Sequence, residues 1–242
     1  MSVKYISFDV YDTLIKRIVE PKILYQAMEL KLINLDKSYG INFAKNRVNA
    51  EKILNKERKN YSLRDIYASN VFGQLGEKER EFLIQLESEY EIDNAQANVP
   101  GKKLYEKIRE NHVLICISDM YLSSETLMKI LKDNGYHRIS EVIVSCEWGA
   151  SKRQGMLFQK VVEYYQIAYQ ELLHVCDALR SDNLNPRRYG IHTIWMKKDR
   201  KFALTGNYYY DMGFYVFGPA IYEFCHWIHE NSKGGRNLIF IP

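Results

Sequence analysis

Five short apolar runs constrain this chain most: VKYISFDV (3–10), HVLICIS (112–118), EVIVSC (141–146), LLHVC (172–176) and IHTIWM (191–196). Each reads as a buried strand, and helix-patterned segments separate the later ones. SSETLMKILKDNG fits a helix that Ser123 or Ser124 caps and Gly135 ends. GMLFQKVVEYYQ places apolar residues at helical spacing between the third and fourth runs. Strands alternating with helices predict an α/β fold, a parallel sheet with helices on both faces. Ligands of such sheets sit beyond the carboxyl ends of the strands, where Asp9, Ser118 and Asp177 fall.

The first interval differs. Residues 16–98 contain no convincing strand. They hold amphipathic, charge-laced stretches such as PKILYQAMELKLINL, INFAKNRVNAEKILNKERKN and EKEREFLIQLESEYEI. SLRDIYASNVFGQL adds a shorter helix with Ser62 as a candidate cap. The expected organisation is an α/β core of residues 1–15 and 99–205, a helical domain of 16–98 inserted into it, and a tail of 206–242. The tail holds one helix near 218–231 and a final apolar run, NLIFI, which either joins the sheet or opens a further domain.

Composition narrows the function classes. With 34 basic and 30 acidic residues, a net charge of +4 is too balanced for a nucleic-acid protein. No stretch approaches the ~18 apolar residues of a membrane span, and the N-terminus enters a strand without a signal-peptide pattern. The four cysteines show no CxxC spacing. Three lie in or beside apolar runs, which fits reduced thiols and a cytoplasmic protein.

Four motifs now stand in order: FDVYDT, ICISD, ASKRQG and VCDALRSD. Together they resemble the haloacid dehalogenase (HAD) superfamily of phosphatases and related hydrolases. The resemblance implies a Rossmann-like parallel core with residues 16–98 as an all-helical cap. It implies Asp9 as nucleophile, Lys152 as its partner and Ser118 as a phosphoryl-binding hydroxyl. It also implies Mg²⁺ held by Asp9, the backbone carbonyl of Tyr11, Asp177 and Asp182. Charge supports this carry-over: one Mg²⁺ and the Lys152 ammonium would balance three clustered carboxylates. Asp119 is a further substrate-binding candidate or a turn cap. Arg17 and Arg180 bind an anionic substrate or make surface salt bridges. His174, inside a strand, reads as a satisfied core residue. Cys225 and His229, at i and i+4, lack the further ligands a metal needs. The tyrosines at 208–210 and Trp227 read as packing or interface residues.

Tyr11 stands where the phosphatase pattern has an aspartate that protonates the leaving group. Losing such a group typically costs about 10²–10⁴-fold in rate. Three readings follow: a slow Mg²⁺-dependent phosphate-ester hydrolase, a haloacid dehalogenase, or a catalytically weak module that binds a phosphorylated ligand or a partner. The metal-independent dehalogenase branch also carries an aromatic residue at this position. A branch with FD(I/V)(F/Y)DTL first motifs occurs among bacterial polysaccharide-biosynthesis proteins. That likeness implies a small sugar-phosphate substrate and a glycosyltransferase or other polysaccharide-biosynthesis partner.

Overall fold

The computed structural model describes residues 3–57 and 60–196, without the side chains of 179–181. The expected helix near 218–231, NLIFI, the 208–210 tyrosines, Trp227, Cys225 and His229 lie outside the described residues. The chain runs β1 (Tyr5–Phe8), β2 (Ile15–Arg17), α1 (Pro21–Asn34), α2 (Phe43–Lys56), α3 (Leu63–Ala68), α4 (Glu77–Asp93), β3 (Ala95–Ala97) and α5 (Val99–Ile108). It continues through β4 (Val113–Ser118), α6 (Ser124–Asp133), β5 (Ile139–Val144), α7 (Ser145–Trp148), α8 (Met156–Tyr164), β6 (Leu172–Cys176) and β7 (His192–Trp195). All five apolar runs form strands of one parallel sheet, in the order β5-β4-β1-β6-β7. The third run is shifted: Ser145 and Cys146 leave the strand and open α7.

The described residues cluster into two compact units. One gathers the chain up to Ile18, Leu54–Ile66 and the chain from Ala95 onward. Its core on one sheet face sets Ile115, Ile117 and Ile143 against Leu157, Phe158 and Val161 of α8. Ser123 caps α6 as expected, its Oγ accepting from the Thr126 N–H at 3.1 Å. Asn134 follows the helix, and Gly135 adopts the left-handed φ of 80° that ends it. Cys116, Cys146 and Cys176 are free thiols. Among the described residues, no helix is long and apolar enough to cross a membrane.

Two strands form where the sequence suggested none. β2 and β3 pair antiparallel, Arg17 opposite Ala95. With three residues each, they are too short to show a period-two pattern. β2 leaves a tightly held turn. Asp12 takes a left-handed φ of 61°, which Asp tolerates, and donates its N–H to the Ile15 carbonyl at 2.7 Å. Asn98 Nδ2 donates to the carbonyls of Asp12 and Thr13 at 3.1 and 2.9 Å. The Tyr136 hydroxyl donates to the Leu14 carbonyl at 2.6 Å. α5 approaches so closely that a Cβ on Gly101 would lie 2.0 Å from the Thr13 oxygen. Elsewhere in a helix Gly→Ala gains about 1 kcal/mol. Here Gly101→Ala should lose about 2–4 kcal/mol, because backbone must move; the midpoint of urea unfolding measures it.

The second unit comprises Val19–Ile53 and Tyr67–Asn94. The Asn94 side chain ties its ends together, accepting from the Val19 N–H at 2.7 Å and donating to the Val19 carbonyl at 2.9 Å. Its centre holds a fully buried ion pair: the Arg47 guanidinium grips both oxygens of Glu87 at 2.8 and 2.6 Å. The Tyr67 hydroxyl donates to the same carboxylate at 2.5 Å, and Tyr25 lies under the guanidinium, 4.7 Å from ring centre. Removing one partner of such a pair strands a charge. Arg47→Leu should therefore cost about 3–5 kcal/mol, and adding Glu87→Leu should recover much of that in a double-mutant cycle.

Candidate active site

The carboxyl edge of the sheet brings the motif residues together because β1 is central. Its register sets Phe8 beside Cys116 of β4 and Val175 of β6. Asp9 continues that ladder, donating its N–H to the Val175 carbonyl at 2.9 Å. Ser118 is the last residue of β4, Asp177 immediately follows β6, and both are buried. Asp182, also buried, lies in the helical turn of residues 179–184.

Lys152 joins these segments. It comes from the loop between α7 and α8 and is only 2% exposed. Its Nζ donates to Asp9 Oδ1 at 2.6 Å and forms an ion pair with Asp182 Oδ1, also at 2.6 Å. Asp119 places the loop: its two carboxylate oxygens accept from the backbone N–H groups of Lys152 at 2.8 Å and Arg153 at 3.3 Å. Of the two roles read for Asp119, substrate binding and turn capping, these bonds are of the capping kind. Arg17 lies against Tyr11, its guanidinium 4.1 Å from the ring centre. Arg180 belongs to the 179–184 turn, but its side chain is outside the described residues.

The electrostatics follow from three carboxylates facing one ammonium. Burial pushes the Asp9 carboxyl up to about 7; Lys152 opposes this, and the charges of Asp182 and Asp177 reinforce it. Asp182 moves the opposite way: Lys152 and His174 outweigh its burial and hold it below the usual carboxylate range. Lys152 keeps its charge despite burial, because Asp9, Asp182 and Asp119 surround it.

The donor set suits a hard cation on charge and on ligand type, since excess negative charge on oxygen donors is what Mg²⁺ requires. Among the described residues, no group of three His, Cys, Asp or Glu side chains is arranged to hold a metal. Asp9 and Asp182 both set Oδ1 against Lys152 at 2.6 Å, and Asp9, the Tyr11 carbonyl, Asp177 and Asp182 are the residues that would hold a Mg²⁺ ion, with water completing the shell.

Sequence reasoning left Ser7 unremarked and took His174 for a satisfied core residue. Ser7 of β1 and His174 of β6 are direct register partners, both fully buried. Ser7 Oγ lies 2.8 Å from His174 Nδ1, and His174 Nε2 lies 3.7 Å from Asp182 Oδ1. Burial, opposed by Asp182, lowers the His174 pKa from its ordinary value. The available signal was one polar residue embedded in each of two neighbouring apolar runs.

No protein-family model and no curated protein matches this chain. Solved structures do. A 2-haloacid dehalogenase from Pseudomonas syringae pv. Tomato DC3000 is 15% identical, with 85% of this chain and 91% of that one covered and a TM-score of 0.59. The HAD-hydrolase YfnB from Bacillus subtilis, bound to magnesium, is 19% identical over 85% and 93%, with a TM-score of 0.55. A HAD family enzyme from Bacteroides thetaiotaomicron, bt-2542, in complex with magnesium and inorganic phosphate, is 14% identical over 84% and 98%, with a TM-score of 0.50. The chain therefore has the fold of the HAD-type hydrolases.

The raised Asp9 pKa has a stability consequence. Between about pH 4 and pH 7 the native state keeps a proton that the unfolded chain has released, so this group lowers stability as pH rises. Asp9→Asn removes that slope. In EDTA it should be more stable than the wild type at pH 8 by on the order of 2–4 kcal/mol. The gap should close toward pH 4 in thermal or urea melts.

Proposed function

We propose that this chain is a hydrolase of a phosphate ester, a sugar phosphate by its first-motif likeness, working through an aspartyl-phosphate at Asp9. The observation that carries the reading is the buried Lys152 ammonium held between Asp9 and Asp182 at the carboxyl edge of the sheet. Such a lysine holds a carboxylate nucleophile in place and balances charge that builds on a transferring phosphoryl group. One oxygen of Asp9 attacks phosphorus and the bond from phosphorus to the leaving oxygen breaks. Water then attacks phosphorus, releasing inorganic phosphate and restoring the Asp9 carboxylate. Ser118 donates a hydrogen bond to the phosphoryl oxygens. Mg²⁺ held by Asp9, Asp177, Asp182 and the Tyr11 carbonyl would supply the positive charge that keeps Asp9 ionised. Its presence in the YfnB and bt-2542 structures supports that cofactor.

Tyr11 sets the character of the reaction. An ordinary phenol has a pKa near ~10 and is not a base at neutral pH, and this ring stacks against Arg17. The leaving group must depart without a carboxylic acid to protonate it, so substrates with good leaving groups are favoured. The same residue supports a second reading, displacement of halide from carbon, where no leaving group needs a proton. The charge excess around Asp9 argues for the phosphate reading, because it calls for a cation. The remaining reading is a weakly catalytic module that binds a phosphorylated ligand or a polysaccharide-biosynthesis partner.

Hydrolysis of p-nitrophenyl phosphate tests this, with and without Mg²⁺. Wild type should show Mg²⁺-dependent turnover that Asp9→Asn abolishes. Tyr11→Asp should raise kcat by about 10–100-fold by activating the water that attacks the phosphorylated Asp9, within the range for an added general base. No turnover in either wild type or Tyr11→Asp would sink the proposal, and halide release from 2-chloropropionate would then decide the second reading.

A further inference from the structure

We propose that His174 is a positioning residue for the active-site ion triad: accepting from Ser7 as the Nε2–H tautomer, it holds the Asp182 carboxylate onto Lys152 and thereby Lys152 onto Asp9. The catalytic consequence rests on the phosphate-ester reading; the hydrogen-bond arrangement does not.

The parallel register of β1 and β6 places Ser7 directly beside His174, with no water-accessible surface on either. Ser7 Oγ is 2.8 Å from Nδ1 and 3.5 Å from the Leu173 carbonyl. The Ser7 hydroxyl suits either tautomer, and Nε2, which faces the Asp182 carboxylate, decides between them: the imidazole proton sits on Nε2 and Nδ1 accepts from Ser7. The opposite tautomer would point a bare Nε2 lone pair at Asp182 Oδ1, 3.7 Å away, and two lone pairs repel. Nε2 has no hydrogen-bond partner among the described residues. A buried donor left unmade costs about 1–3 kcal/mol, and Asp182 is the acceptor it faces. A sub-ångström movement of either side chain brings the pair to hydrogen-bond length. Phe158 packs edge-on against the imidazole at 4.9 Å between ring centres, which restricts its rotation away from Asp182. A chain of five buried or nearly buried side chains thus runs Ser7, His174, Asp182, Lys152, Asp9.

The test combines nitrogen NMR with kinetics on the full chain. In metal-free wild type, ¹⁵N shifts should show His174 with a bare Nδ1 and a protonated Nε2, and Asp182→Asn should move the Nε2–H resonance. A protonated Nδ1, or an Nε2–H indifferent to Asp182→Asn, overturns the proposal. With p-nitrophenyl phosphate, His174→Phe should lower kcat about 10–100-fold with KM within about 3-fold, as expected for a nucleophile misplaced by a fraction of an ångström. His174→Gln, which returns an N–H donor, should recover most of that loss. Full activity in folded His174→Phe, or no recovery in folded His174→Gln, overturns it. If His174→Phe does not fold, Ser7→Ala keeps the imidazole and should shift the Nδ1 resonance by removing its hydrogen bond; an unchanged spectrum overturns the proposal. If wild type turns nothing over, the phosphate reading has failed, and the NMR outcomes alone decide the role of His174.

Discussion

A lysine ammonium buried between two carboxylates organises this molecule. Taking an ammonium out of water is strongly unfavourable unless opposite charges surround it. Lys152 meets that requirement only because segments far apart in sequence converge on it. Asp9 comes from the end of β1, Asp182 from the turn after β6, and Asp119, beyond β4, fixes the loop by its amides. The central position of β1 makes the convergence possible, since its neighbours β4 and β6 deliver their carboxyl ends to either side of Asp9. The sheet order and the ion triad are therefore one constraint seen at two scales.

The second dependence is on the turn that follows Asp9. A nucleophile on a mobile loop would lose the orientation that Lys152 imposes. Here four successive residues, Asp12 to Ile15, are held through backbone hydrogen bonds, the Asn98 amide and the Tyr136 hydroxyl. Gly101 allows α5 to close on the Thr13 carbonyl. That grip leads directly into β2 and so fixes where Arg17 begins its reach toward Tyr11. The rigid turn and the stacked pair make Tyr11 part of the wall of the site.

Much of the sheet was legible in the sequence because β1, β4, β5 and β6 are apolar runs largely buried on both faces, and such runs are hard to hide. The edge strand β7 is mostly exposed. β2 and β3 were not, because three residues carry no period. The long helices were visible through their spacing, but the pairing of Arg47 with Glu87, forty residues apart, has no local signature. At the site, residue types and their motif positions singled out Asp9, Ser118, Lys152 and Asp177, which are brought to the carboxyl edge of the sheet, with Lys152 against Asp9. What spacing could not show was allegiance. Asp182 and Asp177 read alike as an acidic pair, yet Asp182 turns to Lys152. Asp119 read as either substrate-binding or a turn cap, and it accepts from the backbone N–H groups of Lys152 and Arg153. His174 read as a satisfied core residue, whereas only its Nδ1 is satisfied.

Charge ties these observations to chemistry. Lys152 can neutralise only one of the carboxylates around it, and Lys152 together with His174 holds Asp182 below the usual carboxylate range. Asp9 is left with burial unopposed enough to raise its carboxyl to about 7. A nucleophile in that condition is only partly ionised at neutral pH until a further positive charge arrives. A site whose purpose was a neutral ligand would have no reason to maintain such a deficit. On the proposed phosphate-ester reading, a hard cation bound beside Asp9 would offset this excess negative charge and favour the ionised carboxylate. Tyr11 adds no negative charge to this crowded edge, and on the proposed reading it also leaves the site without a carboxylic acid to protonate a leaving group.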